Sequence, residues 1–237
     1  MNMMLTQTRM VINKLWALGG LILLLAGCSS VPTVSEPVTP PVVTTPTLPE
    51  PARRAPRLGL ALGGGAVKGF AHIGVIKMLE ANGLAPAVVS GTSAGSVVGA
   101  LYAGGMNAFD LQEKAVALDE TRIRDLQLSS GGLLVGQKLE DYVNEQVGRK
   151  PLEQLAKPFV AVSTRLEDGE RTVFARGNTG QAVRASSSIP GVFQPVAIGK
   201  FHFVDGGITS PVPVDAARQL GADLVIAVDI SNKARGK

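Results

Sequence analysis

The sequence predicts an α/β domain in which helices pack against a mostly parallel β-sheet, and two observations carry this prediction. From residue 58 onward, short apolar runs alternate with longer segments whose apolar residues recur at helical spacing. Several of the short runs are apolar at consecutive positions, so both faces of each strand would be buried, as in parallel sheets covered by helices. The sequence contains no internal repeat.

The elements can be assigned in order along the chain. The first strand, 57–62, ends at a glycine run, and the helix that follows, 69–82, stops at Asn82-Gly83, a plausible C-cap. Strand 87–89 enters a second glycine-containing turn, which leads into a small, apolar helix over 94–103. The later predicted elements are helices at 108–118, 138–147 and 213–220 and strands at 159–164, 171–174, 201–204 and 224–230.

Charge and composition argue against a nucleic-acid partner. Residues 58–237 contain 18 Lys and Arg against 17 Asp and Glu, a net charge of +1. The sequence pI of about 9.4 therefore arises from the N-terminal residues. Aromatic residues make up only 4% of the chain, so a surface built on stacked bases is disfavoured. No cluster of metal-ligand residues is visible, and no metal or cofactor is predicted.

Residues 1–27 have the layout of a processing segment. Arg9 and Lys14 precede an apolar run, 15–25, that is too short to span a bilayer comfortably. The run leads into Leu25-Ala26-Gly27-Cys28, which contains the only cysteine of the chain. An ordinary secretory signal before an incidental cysteine is one interpretation. The other is that this tetrapeptide resembles a bacterial lipoprotein signal, which implies lipidation of Cys28.

Lipidation of Cys28 would attach the protein to a membrane without a transmembrane helix, because two or more acyl chains hold a protein stably. Ser29 follows the cysteine, which by the same resemblance implies the outer membrane of the cell envelope, facing the periplasm. Residues 28–57 are rich in Pro and Thr and form the predicted tether. At roughly 3 Å per residue, the tether would reach on the order of 80–90 Å.

A candidate nucleophile lies in the turn after the second strand. Gly91-Thr92-Ser93-Ala94-Gly95 is a G-x-S-x-G motif between a predicted strand and a predicted helix, the context that a nucleophile elbow requires. Gly91 and Gly95 would relieve crowding in the sharp turn. Ser93 would then stand at a helix N-terminus, where free amides favour developing negative charge. A purely structural turn is the alternative that this motif leaves open.

The glycine run Gly63-Gly64-Gly65 after the first strand is a candidate oxyanion hole. Consecutive glycines expose N–H groups that bind an anion, and an acyl-transfer intermediate needs two or three such donors. A dinucleotide loop fits less well, because Lys68 takes the place of its third glycine and no acidic residue ends a second strand. Glu80 is a poor candidate for that acidic residue, because it lies inside the first predicted helix. The Gly-Lys-Ser/Thr ending of a P-loop is absent.

Asp205-Gly206-Gly207 is the third motif. A carboxylate at the end of a strand, followed by two glycines, can reach a neighbouring loop at short range. Asp-Gly is also a common β-turn pair, so a structural turn is the alternative here too.

In this order, the three motifs resemble the patatin-like phospholipase family. The resemblance runs from residue 58 to the C-terminus and includes Ala71-His72-Ile73-Gly74-Val75 and Ser188-Ile189-Pro190-Gly191-Val192-Phe193. It implies a single three-layer domain over residues 58–237 and a Ser93–Asp205 dyad without a catalytic histidine. It further implies an oxyanion loop of Gly63, Gly64 and Gly65, with Lys68 as its basic residue. Bacterial members often continue further after the last strand, which leaves a weakened or altered activity open.

A histidine-dependent triad is the main alternative to the dyad. The chain order of an α/β-hydrolase would allow His202 to act with Asp168 or Asp141. However, His202 lies on a predicted strand, only three residues before the aspartate of the third motif. His72 lies in the helix after the glycine loop, where a packed structural histidine is expected.

The dyad requires help from its surroundings, because a free Asp has a pKa of about 3.9 and is a weak base toward a serine hydroxyl. Burial of the carboxylate within hydrogen-bond reach of Ser93 would supply that help.

The sequence thus predicts a hydrolase of phospholipids or related acyl esters, of phospholipase A or acylesterase type, that works through an acyl-enzyme. The alternative is a lipoprotein that keeps this fold as a non-catalytic lipid-binding or partner-binding module. Residues 108–136 are a candidate lid, because they combine a polar stretch at 119–122 with a Gly131-Gly132 hinge. The sequence indicates neither the oligomeric state nor the preferred head group.

Overall fold

The structure is a computed structural model that describes residues 54–117 and 136–231. The strands are β1 (Leu58–Leu62), β2 (Val88–Thr92), β3 (Phe159–Arg165), β4 (Arg171–Phe174), β5 (Val196–Ile198), β6 (Phe201–Asp205) and β7 (Leu224–Val228). The helices are α1 (Phe70–Ala81), α2 (Ala94–Ala103), α3 (Ala108–Ala117), α4 (Gln137–Gln146), α5 (Thr179–Ser186) and α6 (Val214–Gln219). Short 3-10 helices cover Ala66–Gly69, Leu152–Gln154 and Gly206–Ile208.

The strands form one mixed sheet in the order β5-β6-β3-β2-β1-β7, with β4 also paired to β3. β3, β2, β1 and β7 form the parallel part of the sheet, in which β2 pairs with β3, β1 with β2, and β7 with β1. β4 and β6 pair antiparallel with β3, and β5 pairs antiparallel with β6. The α/β prediction is confirmed, and the antiparallel pairs lie at the β3 side of the parallel core.

Helices cover both faces of the sheet, which produces three layers. On one face, Leu60, Leu62 and Phe159 pack with the buried residues of α1 and α2 in the main hydrophobic core. On the other face, Val160 and Val162 pack against Ala216 of α6. The alternation along β3 therefore places successive side chains in different layers, as strand geometry requires. This arrangement explains why β1, β2 and β3 are buried along almost their whole length.

β7 is less buried than its continuous apolar sequence predicts. The strand is at the edge of the sheet and pairs only with β1 among the described residues. Leu224 is 58% exposed, and the other residues of β7 are half-buried or exposed. The apolar pattern therefore identifies the strand correctly but does not report its place in the sheet. None of the described helices is long and apolar enough to cross a membrane.

Among the described α-helices and strands, α5 and β5 were not predicted from the sequence, and neither were the three short 3-10 helices. α5 has eight residues and includes Thr179 and Gly180, which are poor helix formers, so its periodic signal is weak. The sequence signal that could have revealed this helix is Asn178, a residue type favoured at helix N-caps. Its side chain accepts a hydrogen bond from the Gln181 amide. β5 has only three residues, too few for a recognisable alternation.

Candidate active site

Ser93 occupies a tight turn between β2 and α2. Its backbone has φ 52° and ψ −124°, a conformation that costs non-glycine residues on the order of 1–3 kcal/mol. The two flanking glycines permit this turn. A Cβ on Gly91 would lie 2.5 Å from the carbonyl oxygen of Gly95, and a Cβ on Gly95 would lie 2.1 Å from that of Leu62. The turn therefore requires glycine on both sides of the serine.

Gly95→Ala is expected to destabilise the domain by about 3 kcal/mol, because the added methyl forces the start of α2 away from β1. Gly74→Ala is the matched control in α1, where a Cβ meets no atom within 4 Å. The control is expected to stabilise the domain by about 0.5–1 kcal/mol, since alanine is the better helix former. Urea unfolding of both variants measures the difference. Equal unfolding midpoints would contradict the crowding argument.

Asp205 lies beside Ser93 because both chain segments are aligned on β3. Thr92, the last residue of β2, pairs with Val162, and Asp205, the last residue of β6, pairs with Ser163. The two strands therefore end one residue apart along the same neighbour. The Ser93 Oγ donates a hydrogen bond to the Asp205 Oδ2 over 2.6 Å, although 112 positions separate the two residues.

The two glycines after Asp205 have distinct roles. A Cβ on Gly206 would lie 2.1 Å from the carbonyl oxygen of Val162, so only glycine allows the chain to pass this close to β3. The Gly207 amide donates to the Asp205 Oδ1 over 2.7 Å. One carboxylate oxygen is thus held by the backbone, and the other faces the serine.

Burial raises the pKa of the Asp205 carboxyl above its ordinary value. This effect outweighs the hydrogen bonds from Ser93 and from the Gly207 amide, which lower the pKa. Asp205 is only 8% exposed, and Ser93 is 7% exposed. The carboxylate is therefore a stronger base than a free aspartate. A Ser–Asp dyad requires such an increase in basicity.

The raised pKa of Asp205 predicts a pH-dependent stability difference between the wild type and Asp205→Asn. The folded state holds the Asp205 proton more tightly than the unfolded chain, so its stabilising contribution is present at low pH and lost as the pH rises through the folded pKa. The neutral amide does not titrate. The Tm of Asp205→Asn relative to wild type is therefore expected to rise as the pH increases above the ordinary aspartate pKa of about 3.9. Thermal unfolding at a series of pH values measures this, and a constant difference would contradict it.

The glycine loop lies against the nucleophile, but two of its amides are already engaged. A Cβ on Gly64 would lie 3.3 Å from the Ser93 Cβ, so the loop backbone passes directly beside the serine. The Gly63 amide donates to Val228, which continues the ladder between β1 and β7, and the Gly64 amide donates to Pro211. This corrects the expectation that all three glycines supply oxyanion donors. Among the described residues, no acceptor takes the amide of Gly65 or of Ala94.

Lys68 and His72 hold the glycine loop in place. The Lys68 Nζ donates to the carbonyl oxygen of Ile230 over 2.8 Å, which ties the loop to the chain after β7. The His72 Nε2 lies 2.8 Å from the carbonyl oxygen of Gly63. Burial lowers the pKa of this fully buried histidine despite that hydrogen bond, so the ring is neutral and donates through Nε2. His72 is thus a structural residue, as expected, and Lys68 donates one hydrogen bond to the protein backbone.

The residues proposed for a triad do not meet. The His202 Nδ1 lies 3.0 Å from Glu167, and more than half of the histidine side chain is exposed. Asp168 accepts hydrogen bonds from Arg165, and Asp141 accepts one from Gln137. The structure therefore contradicts the triad alternative. His202 and Asp205 are three positions apart on β6, so their side chains lie on opposite faces of the sheet.

An apolar cavity of about 190 Å³ begins next to the nucleophile. Ala94, the residue after Ser93, forms part of its wall. The 3-10 helix Ala66–Gly69 and the helices α1 to α4 supply the remaining walls. The other lining residues are Ala66, Val67, Gly69, Phe70, Ile73, Val97, Val98, Leu101, Leu111, Lys114, Ala115 and Tyr142. Only Lys114 in this wall is charged, so the cavity suits a hydrocarbon chain.

The sequence did not identify the cavity walls, because they come from separate helices whose apolar residues look like ordinary core positions. The lid candidate 108–136 lies partly outside the described residues. Its described helix, α3, buries Ala108 and Leu111 and forms one wall of the cavity. Cys28 and the predicted tether also lie outside the described residues. The described residues contain no group of three or more His, Cys, Asp or Glu residues placed to hold a metal ion.

Comparison with known proteins identifies relatives with this domain. Uncharacterized NTE family proteins of Mycobacterium tuberculosis and Mycobacterium bovis are 38% identical over 184 residues, 77% of this chain and 51% of those proteins. The chain thus spans about half the length of these relatives. Lysophospholipase NTE1 of Pyricularia oryzae is 31% identical over 181 residues, which cover 74% of this chain and 12% of that protein.

The fold is also similar to a solved structure. VipD from Legionella pneumophila superimposes with a TM-score of 0.55 at 17% identity, over 77% of this chain and 51% of that one. The family model of patatin-like phospholipases matches residues 60–218, more than half of the chain. This match includes the glycine loop, Ser93 and Asp205. The chain therefore belongs to the patatin-like phospholipase family.

Proposed function

We propose that this protein is a serine lipid-acyl hydrolase of phospholipase A or acylesterase type, with Ser93 as nucleophile and Asp205 as general base. The observation that carries the proposal is the 2.6 Å hydrogen bond between these two buried side chains, in a turn whose next residue, Ala94, lines an apolar cavity. The family membership and the lysophospholipase among the relatives support a lipid ester as substrate.

In the first step, Asp205 takes the proton of Ser93 as the Oγ attacks the ester carbonyl carbon. The oxygen of that carbonyl becomes an anion, which the unengaged amides of Gly65 and Ala94 are suited to hold. The N-terminal end of α2 adds a favourable field at the same place. The tetrahedral intermediate then collapses. The C–O bond to the alcohol breaks, and the alcohol oxygen takes the proton from Asp205.

The second step hydrolyses the acyl-enzyme. Asp205, again ionised, accepts a proton from a water molecule that attacks the ester carbon of acylated Ser93. The fatty acid leaves, and the serine oxygen recovers its proton from Asp205. The protein supplies every proton transfer through this one carboxyl group.

The test of the proposal is release of fatty acid from lysophosphatidylcholine and phosphatidylcholine in mixed micelles, with intact-mass detection of acylated protein. Fatty-acid release together with an acyl adduct on Ser93 supports the proposal. Binding of the lipids without release of fatty acid would replace it with the non-catalytic binding module.

The cavity predicts a preference for longer acyl chains. A side chain that fills the cavity is expected to abolish this preference. Ala115→Phe places a ring in the wall of the cavity and is expected to lower kcat/KM for a palmitoyl ester by about tenfold or more, with little change for a butyryl ester. Ala117→Phe is the control, since Ala117 lies on the same helix, is exposed and is not part of the wall. Hydrolysis of p-nitrophenyl esters of both lengths measures the ratio. An unchanged ratio in Ala115→Phe would show that the acyl chain binds elsewhere.

The proposal includes attachment to the outer membrane, facing the periplasm, through lipidated Cys28. It rests on the sequence Leu25-Ala26-Gly27-Cys28 and on the Pro-rich residues that follow. Labelling of bacteria with a palmitate analogue is expected to mark the wild type but not Cys28→Ser. Equal labelling of both proteins would exclude this anchor.

A further inference from the structure

We infer that Ser186 is a positioning residue that sets the geometry of Ser93 for attack, and this inference rests on the proposed function. Ser186 is the last residue of α5 and is fully buried. It lies outside the glycine loop, the G-x-S-x-G motif and the Asp205-Gly206-Gly207 motif. Its role follows from contacts that one short segment, residues 185–188, makes with both halves of the dyad.

The Ser186 hydroxyl accepts a hydrogen bond from the Ser93 amide over 3.0 Å. The same hydroxyl donates its only proton to the carbonyl oxygen of Val162 on β3, at 2.5 Å. Because that proton is committed to β3, the oxygen presents a lone pair to the Ser93 amide. The direction of this contact is therefore set by the central sheet.

Ser93 needs such a partner because its backbone is strained. Its φ of 52° is rare for a residue with a side chain, and such a conformation persists only where surrounding contacts hold it. The Ser93 amide stands before the first turn of α2, so it has no acceptor within that helix. The hydrogen bond to Ser186 holds the amide, and through it the direction in which the Ser93 side chain leaves the backbone.

The same segment also holds Asp205. The carbonyl oxygen of Ser188 accepts a hydrogen bond from the Asp205 amide over 2.9 Å. Ser186 and Ser188 are two positions apart, so one short piece of backbone contacts the nucleophile and the base at the same time. The separation of the two reacting side chains thus depends on this segment.

The 185–188 segment is itself anchored on two sides. On the sheet, the Ser186 hydroxyl donates to the carbonyl oxygen of Val162 on β3. The Ser163 hydroxyl of β3, which donates to the carbonyl oxygen of Val204 over 2.6 Å, lies 3.1 Å from the carbonyl oxygen of Ala185. Arg184, the residue before the segment, donates to Glu140 and Gln137 of α4 at 3.0 Å and 2.9 Å. A support with anchors on the sheet and on a neighbouring helix is rigid enough to hold the dyad in a reactive geometry.

Ser187 and Ser188, which directly follow Ser186 in the chain, offer matched controls for the loss of the Ser186 hydroxyl. The Ser187 Oγ is buried and has no hydrogen-bond partner among the described residues. The Ser188 Oγ donates to the carbonyl oxygen of Arg184 and does not contact the dyad, whose contact is with the Ser188 backbone. Removal of either hydroxyl therefore leaves the support of Ser93 and Asp205 in place.

Ser186→Ala is expected to lower kcat by roughly 10- to 100-fold with little change in KM. The variant would still bind the substrate, but the displaced Ser93 hydroxyl would attack the ester carbon poorly. Ser186→Cys keeps the volume and supplies only a weak acceptor, so its kcat is expected to fall as well. Ser187→Ala and Ser188→Ala are expected to keep at least half of the wild-type kcat. Equal losses in all three serine positions would indicate general packing and overturn the inference.

A crystal structure of Ser186→Cys or Ser186→Ala separates this inference from the proposed function, because it requires no activity. The expected result is a distance between the Ser93 Oγ and the Asp205 Oδ2 beyond hydrogen-bond reach. A hydrogen bond still near 2.6 Å would overturn the positioning role whatever the activity of the protein. Conversely, if the wild type is inactive and the two side chains lie apart in the variant, the proposed function falls and the positioning role of Ser186 stands.

Discussion

Ser93→Ala is expected to abolish ester hydrolysis, with a loss of about 10⁴-fold or more in kcat, because the variant lacks the hydroxyl of the proposed nucleophile. The variant is also expected to lose covalent labelling by a fluorophosphonate probe. The substitution removes only the Oγ and leaves Gly91 and Gly95 unchanged, so the turn is expected to persist. Hydrolysis of a short ester and mapping of the labelled peptide measure both effects.

Ser96→Ala is the matched control for that experiment. The Ser96 hydroxyl is buried in the same turn of α2 and donates to the carbonyl oxygen of Ser93 over 2.7 Å. Its removal is expected to leave labelling at Ser93. Labelling that survives in Ser93→Ala, or that maps to another serine, would show that the nucleophile is a different residue.

Asp205→Asn is the second change with a large expected effect. The amide has nearly the shape of the carboxylate, but it cannot accept the Ser93 proton as a base. The loss of general-base catalysis is expected to lower kcat by about 10² to 10⁴-fold. The Oδ1 can still accept the Gly207 amide, so the turn after β6 is expected to persist. Steady-state hydrolysis, with circular dichroism to check the fold, measures the outcome.

His202→Ala separates the dyad from the triad. His202 contacts Glu167 at the surface, and the burial of Asp205 does not depend on it. The variant is expected to keep wild-type kcat. A loss in His202→Ala as large as that in Asp205→Asn would contradict the dyad and restore a histidine-dependent mechanism.

The chemistry-bearing residues were predictable because each lies in a short local pattern. Gly91 and Gly95 on either side of Ser93 indicate a tight turn, and the structure confirms that a Cβ at either position would collide with backbone atoms. The apolar runs likewise predicted β1 and β3 at nearly their observed bounds. The second strand was predicted only over 87–89, whereas β2 continues to Thr92, because its last three residues are not apolar. Patterns of this kind depend on a few neighbouring residues, and the sequence displays them directly.

The oxyanion loop shows where such local patterns fail. Three glycines in a row predict three available amides, yet those of Gly63 and Gly64 donate to Val228 and Pro211. Both acceptors are more than 140 positions away in the sequence. A sequence pattern displays which donors exist, whereas only the packed chain determines which of them remain unengaged.

By itself, the sequence determined the fold class, the order of the three motifs and the identity of the nucleophile and acid candidates. The tertiary structure decided the rest. The register of β2 and β6 on β3 brings Ser93 and Asp205 into contact, α5 supplies the Ser186 hydroxyl behind the nucleophile, and separate helices enclose the apolar cavity. The physical reason is the range of the interactions. Turn strain and strand propensity act between neighbours in the chain, whereas burial and hydrogen-bond pairing depend on segments that meet only after folding.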